Sequence, residues 1–286
     1  MCLPGGVAVA NVAEAEFQGR VALVTGAGRG LGRASALRLH RGGARVACLD
    51  RDAEAVLAVA AEIVAEGGQA LALVCDTSVD AQVQGAVRDT CAHWGPPTLV
   101  HANAGIQRYG TALDTSEALW DQVIAVNVKS AFLVARATVP HMVASGGGSL
   151  VLTASAQAMA TQTNVLAYTT SKAALVGMCR ALAMDHAPQG VRVNCVCPGS
   201  VDTPMLRAAA ELFAEGGRSP DQLARAWGAS HPLGRLCRAE EVAEAVAFLL
   251  SERASYITGT ALPVDGGLLA RLGVILPGPE SVSSEP

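Results

Sequence analysis

Short, nearly unbroken apolar runs alternate along the chain with longer stretches in which apolar side chains recur every three or four positions. The runs are VALVTG (21–26), RVACLD (45–50), ALALVCD (70–76), TLVHANAG (98–105), SLVLTAS (149–155), VRVNCVCPG (191–199) and TALPVDGG (260–267). Between most of them lie helical patterns such as RASALRLHRGG, AEAVLAVAAEIVAEGG, VQGAVRDTCAHWG and SEALWDQVIAVNVKSAFLVARATVPHMVASGGG. Strands that are apolar on both faces and separated by helices belong to a parallel sheet covered on both sides. Right-handed crossovers make such a sheet doubly wound and place ligands outside the carboxyl ends of its strands. The pattern therefore predicts an α/β fold with a central parallel sheet of about seven strands flanked by helices on both faces.

The chain has 286 residues, enough for one large domain. We divide it into an N-terminal extension (1–18), a single domain (19–269) and a C-terminal tail (270–286). Residues 204–235 interrupt the alternation with two short helical patterns around a Gly-Gly break suited to a hinge. The N-terminal MCLPGGVAVANVAEAEF lacks a basic segment and turns acidic early, so it reads as an extension and not a signal peptide. No apolar run reaches the roughly 18 residues that span a bilayer. Hydrophobic residues make up 51% and charged residues 16%, a balance that excludes a disordered chain. The net charge of −4 gives no electrostatic footprint for nucleic acid. The eight cysteines lie singly inside apolar runs or loops, in neither a disulfide framework nor a zinc pattern. Cys195 and Cys197 share one face of a strand, with no second pair or nearby histidine, so no metal is expected. These features predict a soluble protein of the reducing cytoplasm.

The unusual residues collect at the strand ends. The first strand runs into TGAGRGLG, whose Gly26, Gly28, Gly30 and Gly32 lead into the helix RASALRL. Glycine lets the backbone approach a phosphate closely, and the helix start supplies N–H donors and a favourable dipole for a pyrophosphate. In this strand–turn–helix setting Gly26, Arg29, Gly30 and Leu31 are candidate dinucleotide contacts, and the fold becomes a Rossmann type. Asp50 ends the second strand about twenty residues later, where a carboxylate binds the adenosine ribose and repels a 2′-phosphate. It favours NAD over NADP, although Arg29 and Arg51 stand close enough in sequence to neutralise such a phosphate. Asp76, followed by Thr77, ends the third strand as a candidate adenine contact. It would equally serve as a cap for the helix near SVDAQVQ.

From about Arg20 to Gly267 the sequence resembles the single-domain short-chain dehydrogenases/reductases. Thr25 to Gly32 fits the family's T-G-x-x-x-G-x-G. Ala102-Asn103-Ala104-Gly105 fits its N-N-A-G, with Ala102 in place of the first asparagine. Asn127, Ser155, Tyr168 and Lys172 follow in order, with Ser155 thirteen residues before Tyr168 and Lys172 four after it. PGSVDTPM (198–205) supplies a further landmark, and the resemblance implies that the segment at about 204–235 is a mobile substrate cap over the site. The resemblance implies that Asn103, Ala104, Gly105, Pro198, Gly199, Val201 and Thr203 line the dinucleotide site, with Thr203 bonding the nicotinamide carboxamide. It implies that Tyr168 and Lys172 contact the cofactor too, and that the protein forms dimers or tetramers.

A free tyrosine with a pKa near 10 is a poor base at neutral pH. Lys172, one helical turn on, favours the phenolate, and together with an oxidised nicotinamide is expected to lower that value by about two or three units. Tyr168 then takes the proton of an alcohol as hydride leaves for the nicotinamide, Ser155 holds the substrate oxygen, and Asn127 by family analogy positions a relay water. Gln157 is a candidate substrate contact. The expected substrate is a secondary alcohol or ketone, such as a sugar, polyol or cyclic alcohol. The alternatives are an NADPH-dependent 3-oxoacyl or other carbonyl reductase, and a non-catalytic nucleotide-binding protein.

Overall fold

A computed structural model describes residues 16–214 and 218–271. The Gly-Gly break of the cap, most of the N-terminal extension and the tail beyond residue 271 lie outside the described residues.

All seven apolar runs form strands: β1 (Val21–Thr25), β2 (Arg45–Asp50), β3 (Ala70–Val74), β4 (Leu99–Ala102), β5 (Gly148–Thr153), β6 (Val191–Pro198) and β7 (Ala261–Val264). They pair in parallel in the order β3-β2-β1-β4-β5-β6-β7. The fold is thus a doubly wound Rossmann fold whose strand order reverses between β1 and β4. The helices are α1 (Gly30–Arg41), α2 (Ala53–Ala65), α3 (Asp80–Trp94), α4 (Glu117–Ile124), α5 (Ser130–Ala144), α6 (Leu166–His186), α7 (Pro204–Leu212), α8 (Pro220–Ala229) and α9 (Ala239–Leu250).

The period-two alternation of each strand divides the core into two layers. On β1, Leu23 joins Val83, Leu133, Leu150 and Leu175 on the α3, α5 and α6 side. Its neighbours Ala22 and Val24 join Leu37, Val56, Ile63 and Val246 on the α1, α2 and α9 side. Cys195 and Cys197 share the first layer with Cys179 of α6, fully buried, as alternation along β6 requires. Phe17, assigned to the extension by sequence, is buried in the second layer. Next to it Glu16 accepts hydrogen bonds from Arg38 and Arg253, so the packed body includes residue 16.

The long helical pattern after β4 becomes α4 and α5 joined by a π-helical turn at Ala125–Lys129, in which Asn127 lies buried. The combined helix Glu117–Ala144 is long and apolar enough to cross a membrane by length and composition alone, with a mean hydropathy of 1.4 over an 18-residue window. No unbroken apolar run within it reaches 18 residues; apolar side chains scattered between polar ones add up over the window. Its apolar side chains, including Leu133, Val134 and Met142, pack in the core.

Candidate active site

A cleft of about 1110 Å³ opens outside the carboxyl ends of the strands. Its floor begins at the turn after β1. Gly26 adopts φ +63°, and a Cβ on Gly32 would stand 2.0 Å from the Gly26 carbonyl oxygen, so only glycine fits the first turn of α1 against this loop. Arg29 precedes α1 without a side-chain cap, which leaves the helix-start amides to a ligand. The Asp50 carboxylate accepts hydrogen bonds from the amides of Gly28 (2.9 Å) and Asp52 (3.0 Å) and faces the cleft. Arg29 is ion-paired with Asp52. A glycine cradle, an open helix start and a fixed carboxylate at the next strand end are what a dinucleotide requires.

Gly26, Arg29, Gly30, Leu31, Asp50, Asp76, Thr77, Asn103, Ala104, Gly105, Pro198, Gly199, Val201 and Thr203 all line this cleft, together with Ser155, Gln157, Tyr168 and Lys172. Asp76 does not cap α3, whose N-cap is Val79. Instead its carboxylate accepts from the Ser78 amide and hydroxyl, which holds its pKa below the usual carboxylate range. Thr203 caps α7, with its hydroxyl donating to the Val201 carbonyl.

Asn127 stands apart from this set. Its amide is buried behind the cleft wall, accepting from the Ile106 N–H (2.8 Å) and donating to the Ile106 carbonyl and the Ser171 hydroxyl (both 2.9 Å). Both of its amide hydrogens are committed, which leaves only its oxygens to a relay water. The pattern also clamps the segment after β4 to α6.

At the reactive end, α6 presents Tyr168 and Lys172 one turn apart, both buried. Lys172 Nζ donates to the Thr153 carbonyl (2.7 Å) and lies 5.6 Å from the centre of the Tyr168 ring. Ser155, just beyond β5, accepts from the Gln157 amide. The Gln157 Oε1 is buried without a hydrogen-bond partner. Burial pushes the Tyr168 phenol up to about 12, against an opposing hydrogen bond from Ser155, and pushes Lys172 down to about 8. The expected lowering relied on Lys172 together with an oxidised nicotinamide, and the lysine on its own does not bring it about. The dry site disfavours both charged forms, and desolvation outweighs the attraction of a lysine whose ammonium is turned to a backbone carbonyl.

The cap closes the cleft with Met205, Leu206, Ala209, Phe213 and Trp227, and Tyr109 meets Phe213 edge to face at 4.6 Å. Arg207, Arg225 and His231 of the cap do not line the cleft, whereas Ser230 does. Arg207 is bonded to Asp202 and Asp221, Arg225 is exposed, and His231 is buried accepting from the Ser200 amide. Sequence reasoning misses Tyr109, whose only signal is rarity among three tyrosines. It also misses Thr153 and the buried His101 beside it, which read as ordinary strand residues.

Comparison with known proteins agrees with this geometry. Residues 26–269 match the family model described as enoyl-(acyl carrier protein) reductase. Cyclohexanol dehydrogenase of an Acinetobacter species is 36% identical, over 90% of this chain and 97% of its own. The ligand-free aldohexose dehydrogenase of Thermoplasma acidophilum superposes with a TM-score of 0.83 at 34% identity, covering 92% of this chain and 99% of that one. The 3-ketoacyl-(acyl-carrier-protein) reductase of Brucella melitensis, complexed with NADH, superposes at 0.79 with 34% identity, covering 88% and 99%. Such matches run over nearly the whole length of each relative and take in both the glycine turn and the reactive end, and the chain belongs to the short-chain dehydrogenase/reductase family.

Proposed function

We propose that this oxidoreductase uses NAD to interconvert an apolar cyclic secondary alcohol and its ketone. The observation that carries the substrate class is the wall of the reactive end. Tyr109, Met205, Leu206, Phe213 and Trp227 offer aromatic and aliphatic surface, and the cap's arginine Arg207 is held by Asp202 and Asp221. A sugar or polyol needs a hydrogen-bond partner for each buried hydroxyl, whereas an alicyclic ring needs shape and apolar contact. The relatives act on a cyclic alcohol, an aldohexose and a ketoacyl group by name, so the wall and not the comparison supports the choice.

Asp50 supports NAD. Its carboxylate is held toward the cleft by two amides, and a 2′-phosphate there would meet a fixed negative charge. Arg29 is ion-paired with Asp52, which leaves Arg51, also in the cleft lining, as the arginine an NADPH-dependent oxoacyl reductase would use.

When bound, the dinucleotide supplies the hydride acceptor or donor and, in its oxidised form, a positive charge beside the phenol. The chain does the rest. Ser155 and Tyr168 hold the substrate oxygen between two hydroxyls. Tyr168 carries the proton, giving it to a ketone oxygen or taking it from an alcohol. Lys172 fixes a cation one turn from the phenol, and the cap excludes water. Because burial keeps Tyr168 protonated, the unloaded site is ready as an acid, and the oxidative direction requires the charge of the loaded site.

A panel of cyclohexanols, cyclic diones, aldohexoses, polyols and 3-oxoacyl esters tests this, followed by nicotinamide absorbance with NAD and NADP and their reduced forms. The highest kcat/KM is expected for cyclic apolar substrates with NAD. A preference for sugars or oxoacyl esters would refute the substrate class, and a strong preference for NADP would refute the role of Asp50.

A further inference from the structure

His101 of β4 is fully buried behind the reactive end. Its Nε2 lies 2.8 Å from the Thr153 hydroxyl, and its Nδ1 is buried without a partner. The direction of the bonds follows from one fixed end. The Asn103 amide nitrogen lies 3.0 Å from the Thr25 carbonyl and 3.4 Å from the Gly26 carbonyl, both acceptors only, so the NH₂ faces the glycine turn. The Asn103 Oδ1 therefore faces the Thr153 hydroxyl, which donates to it (3.2 Å). A hydroxyl has one hydrogen, so Thr153 must accept from His101, and Nε2 must carry the proton. The bare Nδ1 is then an unpaired acceptor, less costly in the interior than an unpaired N–H.

The same threonine offers its backbone carbonyl to Lys172 Nζ. We propose that His101 is a positioning residue, the terminal donor of a buried hydrogen-bond chain that ties the glycine turn to the carbonyl holding Lys172. Through Thr153 and Asn103 it fixes the carbonyls of Thr25 and Gly26 at one end and the seat of the ammonium at the other. A donor is needed there that stays neutral, since a second cation would oppose Lys172. Burial, helped by the charge of Lys172, pushes His101 down to about 3, so the ring keeps one proton throughout the neutral range. An aliphatic residue at 101 leaves the Thr153 oxygen without a donor and frees the hydroxyl to turn away from Asn103.

Two measurements on the full-length protein test this. Long-range ¹H–¹⁵N correlation on histidine-labelled protein, with H101Q assigning the signal, is expected to show a proton on Nε2 and none on Nδ1, unchanged between about pH 6 and about pH 8. A proton on Nδ1, or titration in that range, overturns the proposal. NADH binding, followed by its fluorescence, is expected to weaken about five- to tenfold in H101V. H101Q places an amide nitrogen as many bonds from Cα as Nε2 and should bind within about twofold of the parent, while the shorter H101N should behave like H101V. Unchanged binding in H101V, or equal behaviour of H101Q and H101N, refutes the role. The glutamine and asparagine pair decides if H101V does not fold. The binding arm rests on the cleft being a dinucleotide site, and failure of the parent to bind NADH would sink that reading while the tautomer still decides this one.

Discussion

Replacing Lys172 by methionine should make the folded protein more stable at neutral pH while removing its activity. The ammonium is buried, and its pKa falls from the ordinary 10.5 to about 8. At about 1.4 kcal/mol per unit, keeping it charged in the folded chain destabilises that state by about 3 kcal/mol. Below about pH 8 the lysine is charged in both states and the whole penalty is present. Between about 8 and 10.5 the folded chain releases its proton while the unfolded chain keeps it, so stability rises with pH until the difference vanishes. Methionine carries no charge, but it leaves the Thr153 carbonyl without its donor, a loss of about 1–2 kcal/mol. The net gain at pH 7 is about 1–2 kcal/mol, or a Tm higher by roughly 2–6 °C for a chain of this size. Thermal unfolding of dinucleotide-free K172M and its parent, repeated toward about pH 10, should show the advantage vanish and then reverse, because the desolvation penalty disappears while the lost bond to Thr153 remains. A variant less stable than its parent at pH 7, by an amount that does not change with pH, would refute the desolvation argument.

Three other outcomes follow from the site. Tyr168→Phe keeps the ring and loses the proton carrier, so turnover should fall about 10²–10⁴-fold while NADH binding and Tm stay near those of the parent. Because burial raises the Tyr168 pKa, alcohol oxidation at saturating substrate should climb with pH through the neutral range. Ketone reduction should stay flat there, and parallel pH profiles in the two directions would assign the proton to another group. Phe213→Ala removes the edge-to-face partner of Tyr109, so KM for a cyclic alcohol should rise about tenfold with kcat little changed.

The strands were legible because the inner ones are buried on both faces and even the half-buried edge strands β3 and β7 are apolar in sequence, so that each run is nearly uninterrupted and its ends stand out. The glycine turn and the order Ser155, Tyr168, Lys172 were legible because their spacing is set by local geometry that a linear reading preserves. The titration of Tyr168 was not. It depends on how dry the closed cleft is and on where the lysine ammonium points, and both arise from packing. The chain from His101 to Asn103 is hidden for a related reason. It joins the ends of adjacent strands fifty residues apart, and each member alone reads as a strand or turn residue. The clamp made by Asn127 depends on a break in helical register that SEALWDQVIAVNVKSAF does not announce.

The π-helical turn at Ala125–Lys129 places one additional residue in a helix that otherwise runs unbroken from Glu117 to Ala144. Each residue rotates a helix by about 100°. The turn therefore sets the phase between two halves that face different neighbours, and downstream of it Phe132 and Arg136 are exposed while Leu133, Val134 and Ala137 are buried. Point substitutions in this segment leave that phase intact. Loss of a single residue would straighten the helix and roll its second half, bringing charge toward the sheet and leucine toward water. The segment should accordingly accept changes of side chain far more readily than changes of length, so that sequence drift across descendants of this fold is free to alter its composition and constrained to keep its count.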